Sequence, residues 1–179
     1  MPEAEVSLRV AFYLLRSRLT DLPVRVAIDG AQVQTAGTLH FDIDGFLSDF
    51  GCAPVGATAT WRATYSHRAT AGSVVIHATP GKGDVVAQLR DGRTLRVESK
   101  KGPLQRDKAS REYPLVREAL GQLLTIDEVA ESDVLAVAVP HSAKFVELAA
   151  RWRQAPLVRR ARIQIITVDR HDQVHGLEL

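Results

Sequence analysis

The sequence predicts an α/β domain, a mixed β-sheet flanked by helices, and three observations carry that prediction. Val134–Val139 is an unbroken apolar run, the pattern of a strand covered on both faces. Apolar residues at helical spacing precede and follow it, in 115–124 and 145–152. Upstream, two β-like runs flank Asp91-Gly92 and mark a hairpin over residues 84–100. With 179 residues and 45% hydrophobic content, the chain suits one domain, 1–179, with a sizeable core.

In order, residues 3–20 predict a helix, because Val6, Val10, Tyr13 and Leu14 recur at helical spacing and Leu22-Pro23 stops it. Glu3 and Glu5 stand in its first turn, where the helix dipole favours negative charge. Val24–Ile28, Asp29-Gly30 and Gln32–Gln34 together predict a hairpin. Asp42 to Gly51 predicts a short helix with an acidic cap and a glycine stop, so Asp42, Asp44 and Asp49 read as caps and surface rather than a calcium loop. Residues 52–56 read as a loop. Ala59–Tyr65 and Ser73–Thr79 read as strands, the second leading into the central hairpin, with Trp61 and Tyr65 on one core face.

The central hairpin has two possible registers. A two-residue loop, Asp91-Gly92, sets Asp84 opposite Ser99 and mixes apolar with polar side chains on each face. A three-residue loop, Arg90-Asp91-Gly92, with Gly92 in the left-handed conformation of a bulge, sets Asp84 opposite Glu98 and Val85 opposite Val97. Only the second collects Val85, Ala87, Leu89, Leu95 and Val97 on one face, so a half-buried sheet selects it. Two carboxylates directly across an antiparallel pair repel unless a cation lies between them, which describes a divalent-metal seat. Lys100 projects from the same face, where an ammonium can orient water or neutralise charge on a phosphoryl oxygen. Alternating charges on such a face also suit a solvated edge.

Beyond the hairpin, 101–111 is a basic loop. Between Lys82 and Arg111 nine basic residues stand against four acids, although the whole chain nets only +2. That local excess, including Lys82, Lys101, Arg106, Lys108 and Arg111, suits a phosphate backbone. Pro114 starts a helix whose stripe is Leu115, Val116, Ala119, Leu120 and Leu123, with Glu118 and Gln122 one turn apart on its polar edge. Ser142 caps the next helix, which Pro156 closes, and Arg162–Val168 is the final core strand. Arg159 and Arg160, with Arg151, Arg153 and Arg162, form a second candidate backbone-contact patch.

Asp84, then Glu98-x-Lys100 on the next strand, followed by helix, buried strand, helix and strand, resembles the PD-(D/E)xK nuclease superfamily, with its restriction-endonuclease-like core. The resemblance covers about 73–168, leaving the N-terminal helix and extra hairpins in 1–72, and it departs from the family where Gly83, not proline, precedes Asp84. It implies a Mg²⁺-dependent (or Mn²⁺-dependent) nuclease hydrolysing phosphodiester bonds of DNA. In that reading Asp84 and Glu98 bind the ion, the Ser99 carbonyl adds a ligand, and Lys100 assists hydrolysis. A further acid comes from the first helix, with Glu5 as the candidate, and Gln122 resembles a glutamine that several branches carry. A homodimer or a partner subunit suits a double-strand cutter. The alternative is a non-catalytic nucleic-acid-binding or assembly subunit that keeps the fold.

Composition narrows the rest. The single cysteine, Cys52, leaves no disulfide framework and reads as a small buried hydrophobe. The six histidines are scattered and are assigned no metal. No apolar run reaches membrane-spanning length, so a cytoplasmic protein without a membrane partner is expected.

Overall fold

The computed structural model describes residues 1–105 and 111–179. In chain order the elements are α1 (Glu3–Arg16), β1 (Val24–Ala27), α2 (Gly30–Val33), β2 (Gln34–Thr35), β3 (Thr38–Leu39), α3 (Ile43–Asp49), β4 (Cys52–Pro54), β5 (Thr64–His67) and β6 (Ser73–His77). There follow β7 (Val85–Gln88), β8 (Thr94–Ser99), α4 (Glu112–Leu123), β9 (Val134–Pro140), α5 (Ala143–Arg153), α6 (Pro156–Arg160), β10 (Ile163–Val168) and β11 (Val174–His175). Among the described residues no helix is long and apolar enough to cross a membrane.

A mixed nine-stranded sheet runs β11-β10-β9-β8-β7-β1-β6-β5-β4. Strands β8, β9 and β10 are parallel, while β7 is antiparallel to both β8 and β1. Helix α1 covers one face and α4 with α5 the other, giving three layers. Strand β9 shows why its sequence is apolar throughout: Ala136 and Ala138 enter the core under α1, and Val137 and Val139 enter the core under α4 and α5.

The central hairpin adopts the bulged register, with Val85 opposite Val97 and Ala87 opposite Leu95. Gly92 has φ +87°, and Leu89 accepts from the Gly92 N–H, closing the three-residue loop. Val85, Ala87, Leu89, Leu95 and Val97 are all buried, as segregation of the faces requires.

Elsewhere the structure corrects the expectations. Helix α1 stops at Arg16 because Arg18 turns left-handed (φ 54°), and the Arg18 and Leu19 N–H groups bond back to Leu15 and Leu14. Residues 24–34 form no hairpin. Asp29 instead caps α2 by accepting from the Ala31 N–H, and β1 pairs with β6 on one side and β7 on the other. Strand β1 therefore separates β6 from the hairpin that follows it in sequence. The segment expected as a loop at 52–56 contains β4, which pairs with β5. Strand β5 starts only at Thr64, so Trp61 lies before it and accepts from the Tyr65 hydroxyl through its carbonyl. Pro156 opens α6 rather than simply ending α5.

Candidate active site

The local chain path puts Asp84 at the end of the sheet. Gly83 has φ +98° and leads the chain out of the strand, and a Cβ there would stand 3.2 Å from the Val97 carbonyl oxygen. The Ser99 N–H, left without a main-chain partner on that side, donates to the Asp84 carboxylate at 2.8 Å. The Asp84 carbonyl in turn accepts from the Ala27 N–H of β1 at 2.8 Å. Both ends of Asp84 are thereby fixed, and its carboxylate lies on the Glu98 side of the sheet. Gly83→Ala should cost about 1–3 kcal/mol in denaturant unfolding, the usual range for a backbone forced into a disfavoured region. The same variant should weaken any ligand dependent on Asp84, which the ligand-induced shift in melting temperature would report.

Asp84, Glu98, Lys100, Lys101 and Gln122 line one cleft of about 630 Å³, together with Glu3, Asp29, Gln32 and Glu118. Glu98 and Lys100 are 8% and 4% exposed, so both charges lie at its floor. The Lys100 Nζ stands 3.4 Å from Glu118, 3.6 Å from Glu3 and 3.9 Å from Glu98. Burial pushes Glu98 up to about 8, the Asp84 charge adds to this, and Lys100 opposes it. Burial likewise pushes Asp84 up to about 6, against the Ser99 N–H that favours its charged form. Burial acts to lower Lys100, but Glu3, Glu98, Asp84 and Glu118 outweigh it and hold the group above its ordinary value.

No protein-family model matches the chain, no curated protein is significantly similar to it, and no solved structure matches it at a significant level.

Several expected residues fall elsewhere. Glu5 faces away from the cleft: it is buried against Arg9, 3.0 Å away, and accepts from Arg170 at 3.2 Å. Two residues along a helix is a rotation of about 200°, so Glu3 and Glu5 cannot serve the same site. Glu3 does reach the cleft. It extends the Val6–Val10 stripe by one turn, a signal present in the sequence. Glu118 precedes Gln122 by one turn on the same edge, so both arrive together.

Of the basic residues expected to meet a phosphate backbone, Lys101 lines the cleft. Lys82 is exposed and 3.8 Å from Glu128, and Arg96 is bound to Asp133 at 2.9 Å. Arg90 and Arg93 are paired with Asp21 and Asp91. Arg159 and Arg160 lie on α6, which precedes β10, at the opposite end of the parallel strands from Ser99. Arg111 is exposed at the start of α4, and Arg106 and Lys108 lie outside the described residues. The Ser99 side chain is buried, with its Oγ unpartnered among the described residues. Its main chain faces β7, so the carbonyl lies on the same side as the N–H that binds Asp84.

Among the described residues the cleft lining is acidic. Glu3, Asp29, Asp84, Glu98 and Glu118 stand against Lys100 and Lys101. Among the described residues no group of three or more acids, histidines or cysteines converges as a ready-made metal cage. The oxygen donors nevertheless fit Mg²⁺, which keeps several waters and takes one or two protein carboxylates. Asp84 and Glu98 form such a pair; burial raises the proton affinity of both, and at Glu98 the Asp84 charge adds to it.

Proposed function

We propose that the chain is a cytoplasmic, divalent-metal-dependent nuclease, a hydrolase of phosphodiester bonds in nucleic acid, and that its sheet is a variant of the restriction-endonuclease-like core. The observation that carries this is the convergence of Asp84, Glu98 and Lys100 in one buried cleft, fixed by the register of β7 and β8. Asp84 and Glu98 would hold the ion, with the Ser99 carbonyl beside them. A bound Mg²⁺ or Mn²⁺ would supply Lewis-acid stabilisation of charge on the phosphoryl oxygens.

The protein's own groups divide the remaining work. Asp84 is kept in place by main-chain bonds at both ends. Glu98 must give up its proton when the seat fills. Lys100, whose ammonium is stabilised by surrounding carboxylates, stays charged at neutral pH, so it acts by charge and donation rather than as a base. Gln122 lines the same cleft and would contact substrate from there.

Among the described residues the lining is net negative, so a divalent cation that offsets much of that charge would ease the entry of a polyanion. That favours a metal-dependent enzyme over a non-catalytic binding subunit, which would bind nucleic acid without ions and be indifferent to Asp84→Ala. The test is cleavage of DNA and RNA with Mg²⁺ or Mn²⁺, expected to vanish with chelator and in Asp84→Ala. Equal cutting by the variant, or no cutting by the purified protein, would sink the proposal.

Ion binding should also depend on pH in a defined direction. Asp84 near 6 and Glu98 near 8 must both be ionised, so affinity should climb from pH 6 to pH 8 and then level. Near neutral pH about one proton should leave per ion bound. Calorimetry in two buffers of different ionisation enthalpy measures that number, and a value of zero would contradict the assignment of Glu98.

A further inference from the structure

Strand β10 is an incompletely covered edge. Its neighbour β11 pairs only with Thr167 and Val168, and Gly176 (φ +81°) then turns the chain away. The Ile165 carbonyl, beyond that pairing, is taken by Arg153 from the end of α5: Nε donates at 2.9 Å and Nη2 at 2.5 Å. Gly176 passes so close that a Cβ there would collide with the Arg153 guanidinium. Arg153 is thus held by main chain alone, with its charge unneutralised. Two of its five N–H groups are used, and the others have no partner among the described residues.

The same guanidinium lines a pocket of about 440 Å³ with Arg159 and Arg162. Those two are brought together by the turn that ends α6, where the Arg162 N–H donates to the Arg159 carbonyl at 3.1 Å. Gln164 holds the tail beside them through the Glu178 main chain, at 2.5 Å and 2.8 Å. Among the described residues none of the three arginines makes an ion pair, and Glu178 is the only acid in the lining. Like charges gathered around one cavity repel, and an anion between them relieves that. A carboxylate is satisfied by a single guanidinium fork. Three forks match a group with three terminal oxygens and two charges, which is a phosphate monoester above pH ~6. An internal phosphodiester, with one charge and two free oxygens, matches them less well. The volume is more than a bare phosphate fills and falls among small-molecule sites, so the ester carries an organic group.

We propose that this pocket, at the other end of the parallel strands from Ser99, is a binding site for a phosphate monoester, with Arg153 as its fixed anchor and Arg159 and Arg162 supplying the other two forks. It stands independently of the hydrolase reading. The monoester is either a small molecule or the terminal phosphate of a nucleic-acid strand.

The experiment is calorimetry on the full chain in chelator at fixed ionic strength. It compares adenosine 5′-monophosphate, adenosine, and a short single-stranded DNA with and without a 5′-phosphate. The monophosphate should bind with a Kd of ~1 mM or tighter, and adenosine should not bind. Arg159→Gln combined with Arg162→Asn removes two charges at exposed positions, and asparagine tolerates the left-handed backbone at 162 (φ 54°). That variant should melt with the parent and lose ~10-fold or more of the monophosphate affinity. A 5′-phosphorylated strand that binds ~10-fold tighter than the monophosphate identifies a strand end as the ligand, and equal binding identifies a small ester. Either result supports the site. The proposal is overturned if the monophosphate binds no better than adenosine, if the double variant binds it as the parent does, or if the strand binds equally with and without its 5′-phosphate.

Discussion

Replacing Glu98 with glutamine should raise the melting temperature above pH 8 while abolishing stabilisation by Mg²⁺ or Mn²⁺. Glu98 is 8% exposed, and in the folded protein it titrates near 8 against an ordinary 4.5. Between those two values the folded protein keeps a proton that the unfolded chain releases. The stability this group contributes is therefore fully present below about 4.5 and is lost as pH rises through 8. Glutamine copies the protonated form and escapes that loss. Lys100 keeps three of its four carboxylate neighbours, Glu3, Asp84 and Glu118, so its ammonium is not stranded. Allowing for partial access of water, the gain is about 1–2 kcal/mol, roughly 2–8 °C for a chain of this size. At pH 5 variant and parent should melt within about a degree of each other. Divalent ion reverses the order: at a hundred times its dissociation constant it stabilises the parent by about 2.7 kcal/mol and leaves the variant nearly unmoved. A variant less stable than the parent at high pH would mean that Glu98 is held as a contented anion by Lys100, and the metal seat would lose its basis.

The part of this site that could be read in the sequence is the part that local packing dictates. The hairpin has only one register that puts Val85, Ala87, Leu95 and Val97 on one face, and the sheet adopts it. That same choice brings Asp84 to the Glu98 side. Caps were legible for the same reason, since Asp42 and Ser142 each bond to an N–H within three residues. Signals that serve two structures were not. Asp29-Gly30 is equally a hairpin turn and a helix cap, and the choice was made by β6 and β7, which occupy both edges of β1. Strand β4 exists because β5 lies beside it, which no property of Cys52–Pro54 announces. Charge misled most. Counting along the chain finds the bases between Lys82 and Arg111 but cannot see Asp21, Glu128 and Asp133, which arrive from distant segments beside Arg90, Lys82 and Arg96. Glu3, Asp29 and Glu118 also come from other elements, and among the described residues they outnumber Lys100 and Lys101 in the cleft.

The Lys100→Met variant should lose cutting by ~100-fold or more and yet bind divalent ion more tightly. Methionine preserves the apolar stem that passes through the buried floor and deletes only the ammonium. In the parent that ammonium is surrounded by Glu3, Glu98, Asp84 and Glu118, and it offsets the negative potential an incoming cation would feel. A unit charge at about 4 Å is worth about 4 kcal/mol at the effective dielectric of a protein surface, of which solvent and neighbouring groups absorb a large share. Even a third of it is about tenfold in affinity. The gain belongs above pH 8, because Lys100 also holds Glu98 down, and without it Glu98 clings harder to its proton. Below neutral pH the variant should bind ions more weakly than the parent, so the two affinity curves should cross. Cutting falls at every pH, since the charge developing on the phosphoryl group has lost its fixed positive partner. A purely structural lysine predicts a different pair of results: lower melting temperature, with cutting and ion affinity falling together in proportion to the folded fraction. Titrating Mn²⁺ by the melting shift at two pH values, alongside cutting rates, separates the two. Cutting preserved to within about threefold would remove Lys100 from the chemistry altogether.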